Sequence, residues 1–139
     1  MIEFYYEIDF KIDQNQEYRN WVLGICVSES YEAGNLSFIF CADDYLLELN
    51  KKYLNHDRYT DIISFDYSEG PTVAGDVFIS VERVKENAKL FGTTFEEELR
   101  RVMAHGVLHL MGYRDKSEKD IGIMRKKELE KMKLFHVEP

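Results

Sequence analysis

The sequence predicts an α+β fold in which helices pack on one mixed β-sheet. Strand-like and helix-like segments alternate early in the chain, and helical patterns dominate late. The chain has 139 residues, of which 45% are hydrophobic and 32% charged, so it is long enough to bury a core. It contains no internal repeat, low-complexity stretch or linker. We therefore expect residues 1–139 to form a single domain.

Two strands and a helix are predicted near the N-terminus. Residues 2–8 are aromatic and β-branched, which favours an opening strand. A turn at Ala33-Gly34-Asn35 is expected to precede a largely buried strand over 36–42. A core-facing helix is predicted over 15–31, where apolar side chains recur at helical spacing: Tyr18, Trp21, Val22, Ile25 and Cys26.

The central segment predicts a helix and two strands. Asp43 is expected to cap a helix that runs to about Tyr53. Strands are predicted over 61–67 and 75–80, on either side of a turn at Glu69-Gly70-Pro71.

Three more helices are predicted in the rest of the chain, each beginning at a Ser or Thr that can act as N-cap. They cover 81–91 after Ser80, a segment from Thr94 to about Met111, and a basic amphipathic segment from Ser117 to about Met132. Gly92 and Gly112 are expected to end the first two.

The charge distribution excludes a generic polyanion-binding protein. The net charge is −8, with −9 in residues 1–70 and +1 in residues 71–139, so a nucleic-acid contact requires a local basic patch. No apolar run approaches the ~20 residues of a membrane helix, and the acidic, aromatic start does not resemble a secretory signal. Cys26 and Cys41 lack CxxC spacing and are expected to be buried thiols. We therefore expect a cytoplasmic protein without membrane contact.

A candidate metal site lies near the end of the predicted helix that begins at Thr94. His105 and His109 are four residues apart, so both imidazoles lie on one helical face. Gly112 allows the chain to turn back, and Asp115 follows three residues later. Two imidazoles and a carboxylate form a known zinc ligand set that leaves a position for water. We expect one Zn²⁺ per chain, and Ni²⁺ also fits these ligands.

The spacing matches the long zinc-protease signature except at one residue. Such proteases carry Glu after the first histidine as general base, whereas this chain has Gly106. A metal site is compatible with glycine, but the proteolytic mechanism loses its base. His56 and His136 have no comparable neighbours and are interpreted as ordinary polar residues.

Together these features resemble the YbeY family of metal-dependent endoribonucleases, which are implicated in ribosomal RNA maturation. Three blocks carry the resemblance, in the family's order: Leu49-Asn50 and Tyr53 followed by Thr60–Phe65, then Gly75–Ser80, then His105–Tyr113. The third block is highly specific, and the other two are strong in combination. By themselves, Thr60–Phe65 and Gly75–Ser80 indicate only a pair of strands.

The resemblance implies a zincin-like fold and cleavage of single-stranded RNA, near the 3′ end of small-subunit ribosomal RNA. It implies as partners ribosomal RNA and the small ribosomal subunit or its proteins, and no DNA. Three positions depart from the family. Asp115 stands where the third ligand is usually histidine, Leu54 where an arginine is usual, and Tyr59 where a proline is usual.

The predicted mechanism is metal-assisted phosphodiester hydrolysis, with His105, His109 and Asp115 as ligands. Attack by water and attack by the RNA 2′-hydroxyl both remain open, because no side chain of the motif is a convincing general base. Candidate phosphate contacts are the basic residues Lys51, Lys52, Arg58, Arg125, Lys126 and Lys127. Two alternatives are a non-catalytic ribosome assembly factor with a structural metal site, and a metallopeptidase or amidase whose base is Asp76 or Glu97.

Overall fold

The computed structural model describes residues 1–135, which form four strands and five helices. The strands are β1 (Ile2–Tyr6), β2 (Glu32–Cys41), β3 (Ile62–Asp66) and β4 (Thr72–Ser80). The helices are α1 (Asn15–Ser28), α2 (Asp43–Leu54), α3 (Val81–Phe91), α4 (Phe95–Leu110) and α5 (Glu118–Met132). His136 lies outside the described residues. Within residues 1–135, no helix is both long enough and apolar enough to cross a membrane.

The sheet is mixed, as predicted, with the strand order β1-β2-β4-β3. β1 and β4 pair with β2 in parallel, whereas β3 pairs with β4 antiparallel. The β3–β4 pair is the hairpin expected around Glu69-Gly70-Pro71. This arrangement leaves β3 at an edge of the sheet, next to α4, and this edge forms one wall of the cavity described below.

The core lies between the sheet and helices α1 and α4. All five apolar residues that predicted the first helix are buried, and Cys26 and Cys41 are buried free thiols as expected. Burial raises the pKa of the Cys26 thiol to about 11 and that of Cys41 to about 12, so both are protonated at neutral pH. Their surroundings are those of packing residues rather than of reactive ones.

The predicted turn at Ala33-Gly34-Asn35 is wrong, because β2 continues through these residues. The pairing of β2 with β4 shifts register between Ala33 and Leu36, which marks a β-bulge. A Cβ at Gly34 would lie 2.7 Å from Thr72 Cγ2, so glycine is needed there for close approach to β4. Pairing with a distant strand thus overrides a local turn signal.

Asp43 does not cap α2, in contrast to the prediction. The N-cap is Ala42, without a side-chain hydrogen bond, and Asp43 is the first helical residue. Its carboxylate instead accepts hydrogen bonds from Ser80 Oγ at 3.0 Å and from Arg83 Nη2 at 2.7 Å. Asp43 therefore joins the start of α2 to the start of α3. The caps predicted at Ser80, Thr94 and Ser117 are confirmed.

Candidate active site

A cavity of about 530 Å³ opens between strand β3, helix α4 and the loop after α4. Its walls combine imidazoles, carboxylates and cations with the backbone of the edge strand. The lining residues are Leu54, Thr60, Asp61, Ile62, Ile63, Ser64, Arg101, Val102, His105, His109, Asp115, Lys116 and Arg125. The three metal ligands predicted from the sequence therefore line one cavity.

The two histidines occupy successive turns of α4 on the face that borders the cavity. Their rings are nearly parallel, at 6°, with centroids 6.3 Å apart. His105 is largely shielded from solvent, whereas His109, in the last turn, is exposed. Helical geometry thus places both imidazoles as the spacing predicted.

Asp115 reaches the cavity because α4 ends in a tight reversal. The φ angle of Gly112 is +101°, which a residue with a side chain adopts only with strain. The Gly112 and Tyr113 amides donate to the carbonyls of His109 and Leu108, as in a glycine-terminated helix. Beyond this turn, Asp115 Oδ2 lies 3.2 Å from His105 Nε2.

His105 lies between two carboxylates. Its Nδ1 is 2.7 Å from Glu128 Oε2, and its Nε2 faces Asp115. A neutral imidazole carries one proton, so it satisfies one of the two contacts, and the other pairs a nitrogen lone pair with a carboxylate oxygen. A cation at Nε2 removes that repulsion, either as a second proton or as a metal ion. The donor set therefore fits a metal ion with Nε2 as ligand and Glu128 behind it.

The three side chains predicted as metal ligands do not converge on one point within residues 1–135. His105 and Asp115 are in contact, whereas the His109 imidazole makes no hydrogen bond or ion pair with another side chain of residues 1–135. No group of three His, Cys, Asp or Glu side chains in that range is placed to hold an ion as it stands. Because His109 and Asp115 are both solvent-accessible, small side-chain rotations are open to them.

Behind His105, a buried ionic network joins α4 to α5. Arg101 donates to both oxygens of Glu98, at 2.9 and 2.8 Å, and to Glu128 Oε1 at 3.1 Å. Both glutamates are 2% exposed. Burial alone would raise the pKa of Glu128, but the hydrogen bond with His105 and the charge of Arg101 outweigh it and lower the pKa.

Asp61 is a further carboxylate on the cavity wall. It precedes β3, and its nearest cation is Arg101, 3.7 Å away. Burial raises the pKa of Asp61, and the charges of Arg101 and His105 only partly offset this effect. The sequence indicated Asp61 only as the first residue of a predicted strand over 61–67, and Arg101, Glu98 and Glu128 were not predicted as site residues. The available signal was an acidic residue, Glu128, one helical turn after the apolar Met124 on the same buried face.

The predicted phosphate contacts divide into two groups. Arg125 lies at the cavity, whereas Lys51 and Arg58 do not line it. Lys51 pairs with Glu48 and Asp57, and the Arg58 carbonyl accepts a hydrogen bond from Asn50. Two more of the group, Lys52 and Lys126, are exposed away from the cavity lining, and Lys127 pairs with Glu29.

Residue 106 cannot carry a general base in this packing. A Cβ there would lie 2.9 Å from Val77 Cγ1 and 3.0 Å from Ile62 Cδ1, because Gly106 faces the sheet rather than the cavity. Asp76 and Glu97, the bases considered for a peptidase, do not line the cavity. The cavity therefore lacks the glutamate base of a zinc protease at every position considered for it.

Comparison with known proteins identifies a family. The family model described as Endoribonuclease YbeY matches residues 5–136. Proteins named Endoribonuclease YbeY from Flavobacterium psychrophilum and Flavobacterium johnsoniae are 58% and 54% identical to this chain. Each alignment covers 99% of this chain and 98% or 99% of the relative. A relative of the same name from Bacteroides fragilis is 44% identical over 83% of both chains.

A solved structure shares the fold. The solution structure of TM1509 from Thermotoga maritima matches with a TM-score of 0.67 and 29% sequence identity. The match covers 97% of this chain and 89% of that protein. This chain therefore shares its fold with that protein.

Proposed function

The chain belongs to the endoribonuclease YbeY family, and on that premise we propose that it is a metal-dependent endoribonuclease that cleaves single-stranded RNA. We propose His105, His109 and Asp115 as its metal ligands, zinc as the ion and ribosomal RNA as the substrate. The observation that carries the proposal is the placement of all three side chains on one cavity, with a buried carboxylate behind His105.

The chemistry follows from the groups on the cavity wall. His105, His109 and Asp115 would hold a zinc ion, which would supply Lewis-acid chemistry at a phosphoryl oxygen. Asp61 faces the same cavity with a raised pKa, which suits a group that exchanges a proton during the reaction. Because Gly106 provides no base, Asp61 is the carboxylate best placed to accept the proton of the attacking hydroxyl.

The cavity also supplies the local basic patch that an acidic chain requires to bind RNA. Lys116 and Arg125, which are both exposed, line it, although the net charge of the chain is −8. The Arg125 side chain is 54% exposed, and within residues 1–135 it donates a single long hydrogen bond, of 3.3 Å, to Glu128. It is therefore available to a phosphate at little cost. A phosphate held by Arg125 would lie in the same cavity as His105, His109 and Asp115.

The first test is cleavage of a labelled single-stranded RNA by chelator-treated protein, before and after addition of zinc. We expect no cleavage without metal and full cleavage after addition. His109→Ala should abolish zinc uptake and reduce cleavage at least 100-fold. His56→Ala is the matched control, because His56 is also exposed but lies outside the cavity lining. It should leave both properties unchanged.

The outcomes separate the alternatives. Cleavage that survives chelation, or equal activity in the two variants, would overturn the metal-dependent mechanism. Zinc binding without cleavage, together with binding to the small ribosomal subunit, would identify an assembly factor instead. We also propose that the protein acts in the cytoplasm. The proposed action on the 3′ end of small-subunit RNA is tested by offering that segment beside a scrambled RNA of the same length. Faster cleavage of the natural segment is expected.

A further inference from the structure

We propose that Glu128 is a positioning residue that selects the tautomer of His105, and that Arg101 selects which oxygen of Glu128 performs this task. The inference rests on the proposed metal site, because it concerns which nitrogen of His105 is free to bind an ion. It concerns Glu128 on α5 and Arg101 on α4, neither of which belongs to the histidine motif.

The geometry assigns a distinct role to each oxygen of Glu128. Oε1 accepts from Arg101 at 3.1 Å and from Arg125 at 3.3 Å, whereas Oε2 contacts His105 Nδ1 at 2.7 Å. Arg101 is itself held in place by the two hydrogen bonds to Glu98. The carboxylate of Glu128 therefore cannot rotate without losing its guanidinium partners.

This arrangement decides where the imidazole proton resides. A carboxylate accepts and does not donate, so Nδ1 must carry the proton to make the 2.7 Å contact. The competing site is Nε2, whose contact with Asp115 is longer, at 3.2 Å, and whose partner is 41% exposed. Asp115 is solvated and Glu128 is buried, so the proton stays on Nδ1. Nε2 then presents its lone pair to the cavity, as a metal ligand must.

Burial explains why the network contains Arg101. An isolated carboxylate that is 2% exposed is costly, and two such groups, Glu98 and Glu128, lie close together here. One guanidinium with its planar fork of donors serves both. Because the guanidinium of Arg101 donates to Oε1, Oε2 is the oxygen that faces His105. The metal-binding tautomer thus depends on a residue of α4 that does not contact the imidazole.

Substitution of Glu128 by Gln should reverse the direction of the hydrogen bond at His105 Nδ1, while the side chain keeps its size and shape. Arg101 and Arg125 still require an acceptor, so the amide oxygen takes the place of Oε1. The amide NH₂ group then faces His105 Nδ1, which must accept, and the proton moves to Nε2. Asp115 favours the same outcome, because it accepts from Nε2. The variant therefore stabilises the tautomer that cannot bind metal.

The experiment measures the ring nitrogens of His105 by ¹⁵N NMR in metal-free protein, at a pH where the ring is neutral. We expect the proton on Nδ1 in the wild type and on Nε2 in Glu128→Gln. Zinc affinity, measured by competition with a chromophoric chelator, should fall about 10- to 100-fold in the variant. Glu118→Gln is the control, since it removes the same charge from an exposed position of α5. It should change neither quantity.

The results distinguish failure of this inference from failure of the proposed function. A wild-type ring protonated on Nε2 overturns the inference, even if Glu128→Gln does not fold. An unchanged tautomer and unchanged zinc affinity in a folded Glu128→Gln variant also overturn it, while the metal site stands. If the wild type binds no zinc, the proposed function fails, and the tautomer measurement still decides the role of Glu128.

Discussion

Replacement of Glu29 by Gln is predicted to destabilise the protein at neutral pH and to weaken the position of the loop that carries Asp115. Glu29 follows α1 and accepts hydrogen bonds from Lys131 at 2.7 Å and Lys127 at 3.0 Å, both on α5. It also accepts from the Tyr113 hydroxyl, two residues before Asp115. One carboxylate thus connects α1, α5 and the loop between α4 and α5.

The magnitude follows from the ionisation of Glu29. Burial disfavours its charged form, but the three hydrogen bonds outweigh burial and lower the pKa from 4.5 to about 2. That difference corresponds to an upper limit of about 3.4 kcal/mol of stability at pH 7. Gln retains part of the hydrogen bonding and water screens part of the charge, so we expect a loss of about 2 kcal/mol and a fall in Tm of about 5–10 °C.

The same pKa difference predicts the pH dependence. The folded-state pKa of Glu29 is lowered, so its contribution is present above the unfolded pKa of 4.5 and is lost as pH falls through about 2. By linkage, the contribution decreases to about 1.4 kcal/mol at pH 3. The wild type and Glu29→Gln should therefore differ less in acid than at neutral pH.

The assay is urea denaturation of both proteins at pH 7 and pH 3. Glu130→Gln is the control, because Glu130 also contacts Lys131, at 2.9 Å, but is exposed. It should change stability little. An equal loss in the two variants, or a loss for Glu29→Gln that is as large at pH 3 as at pH 7, would refute the argument from burial and hydrogen bonding.

Three further predictions concern the metal site and the core. Elemental analysis of protein purified without added metal should find about one zinc per wild-type chain and a clear loss in Asp115→Ala; equal content would exclude Asp115 as a ligand. Cys26 and Cys41 should resist a thiol reagent at pH 8, because burial raises their pKa values to about 11 and 12 and keeps both thiols protonated. Both should react once urea unfolds the chain. Rapid labelling of the native protein would contradict their burial. Trp21→Phe should cost at least about 1 kcal/mol in urea denaturation, because it removes the 2.7 Å hydrogen bond from the indole to the Lys131 carbonyl; unchanged stability would contradict this estimate.

Local sequence signals predicted most of the secondary structure correctly. The caps at Ser80, Thr94 and Ser117 act within three residues, so their chemistry can be read from the chain. Gly112 ends α4 for a similarly local reason. The two errors, at Gly34 and Asp43, have the opposite origin. Both residues make their decisive contacts with segments more than 35 residues away, which local propensity cannot represent.

The three predicted metal ligands could be identified from the sequence because a helix fixes the spacing of His105 and His109. In addition, the glycine turn limits where Asp115 can lie. The supporting carboxylates had no such signal. Glu128 lies 23 residues from His105, and Glu98 and Arg101 belong to an earlier part of α4. In the sequence, Glu128 is one of many charged residues on a basic helix.

The sequence by itself determined the α+β class, the caps and the helical pairing of two imidazoles, because these depend on interactions between near neighbours. It also contained the segments that resemble the YbeY family, among them Thr60–Phe65, Gly75–Ser80 and His105–Tyr113. Only the tertiary structure decided that β3 and Asp61 face the same cavity as the histidines, and that Glu128 rather than a residue of the motif contacts His105 Nδ1. The ionic network of Glu98, Arg101 and Glu128 affects stability strongly because its carboxylates are buried. They become buried only when α5 packs on α4.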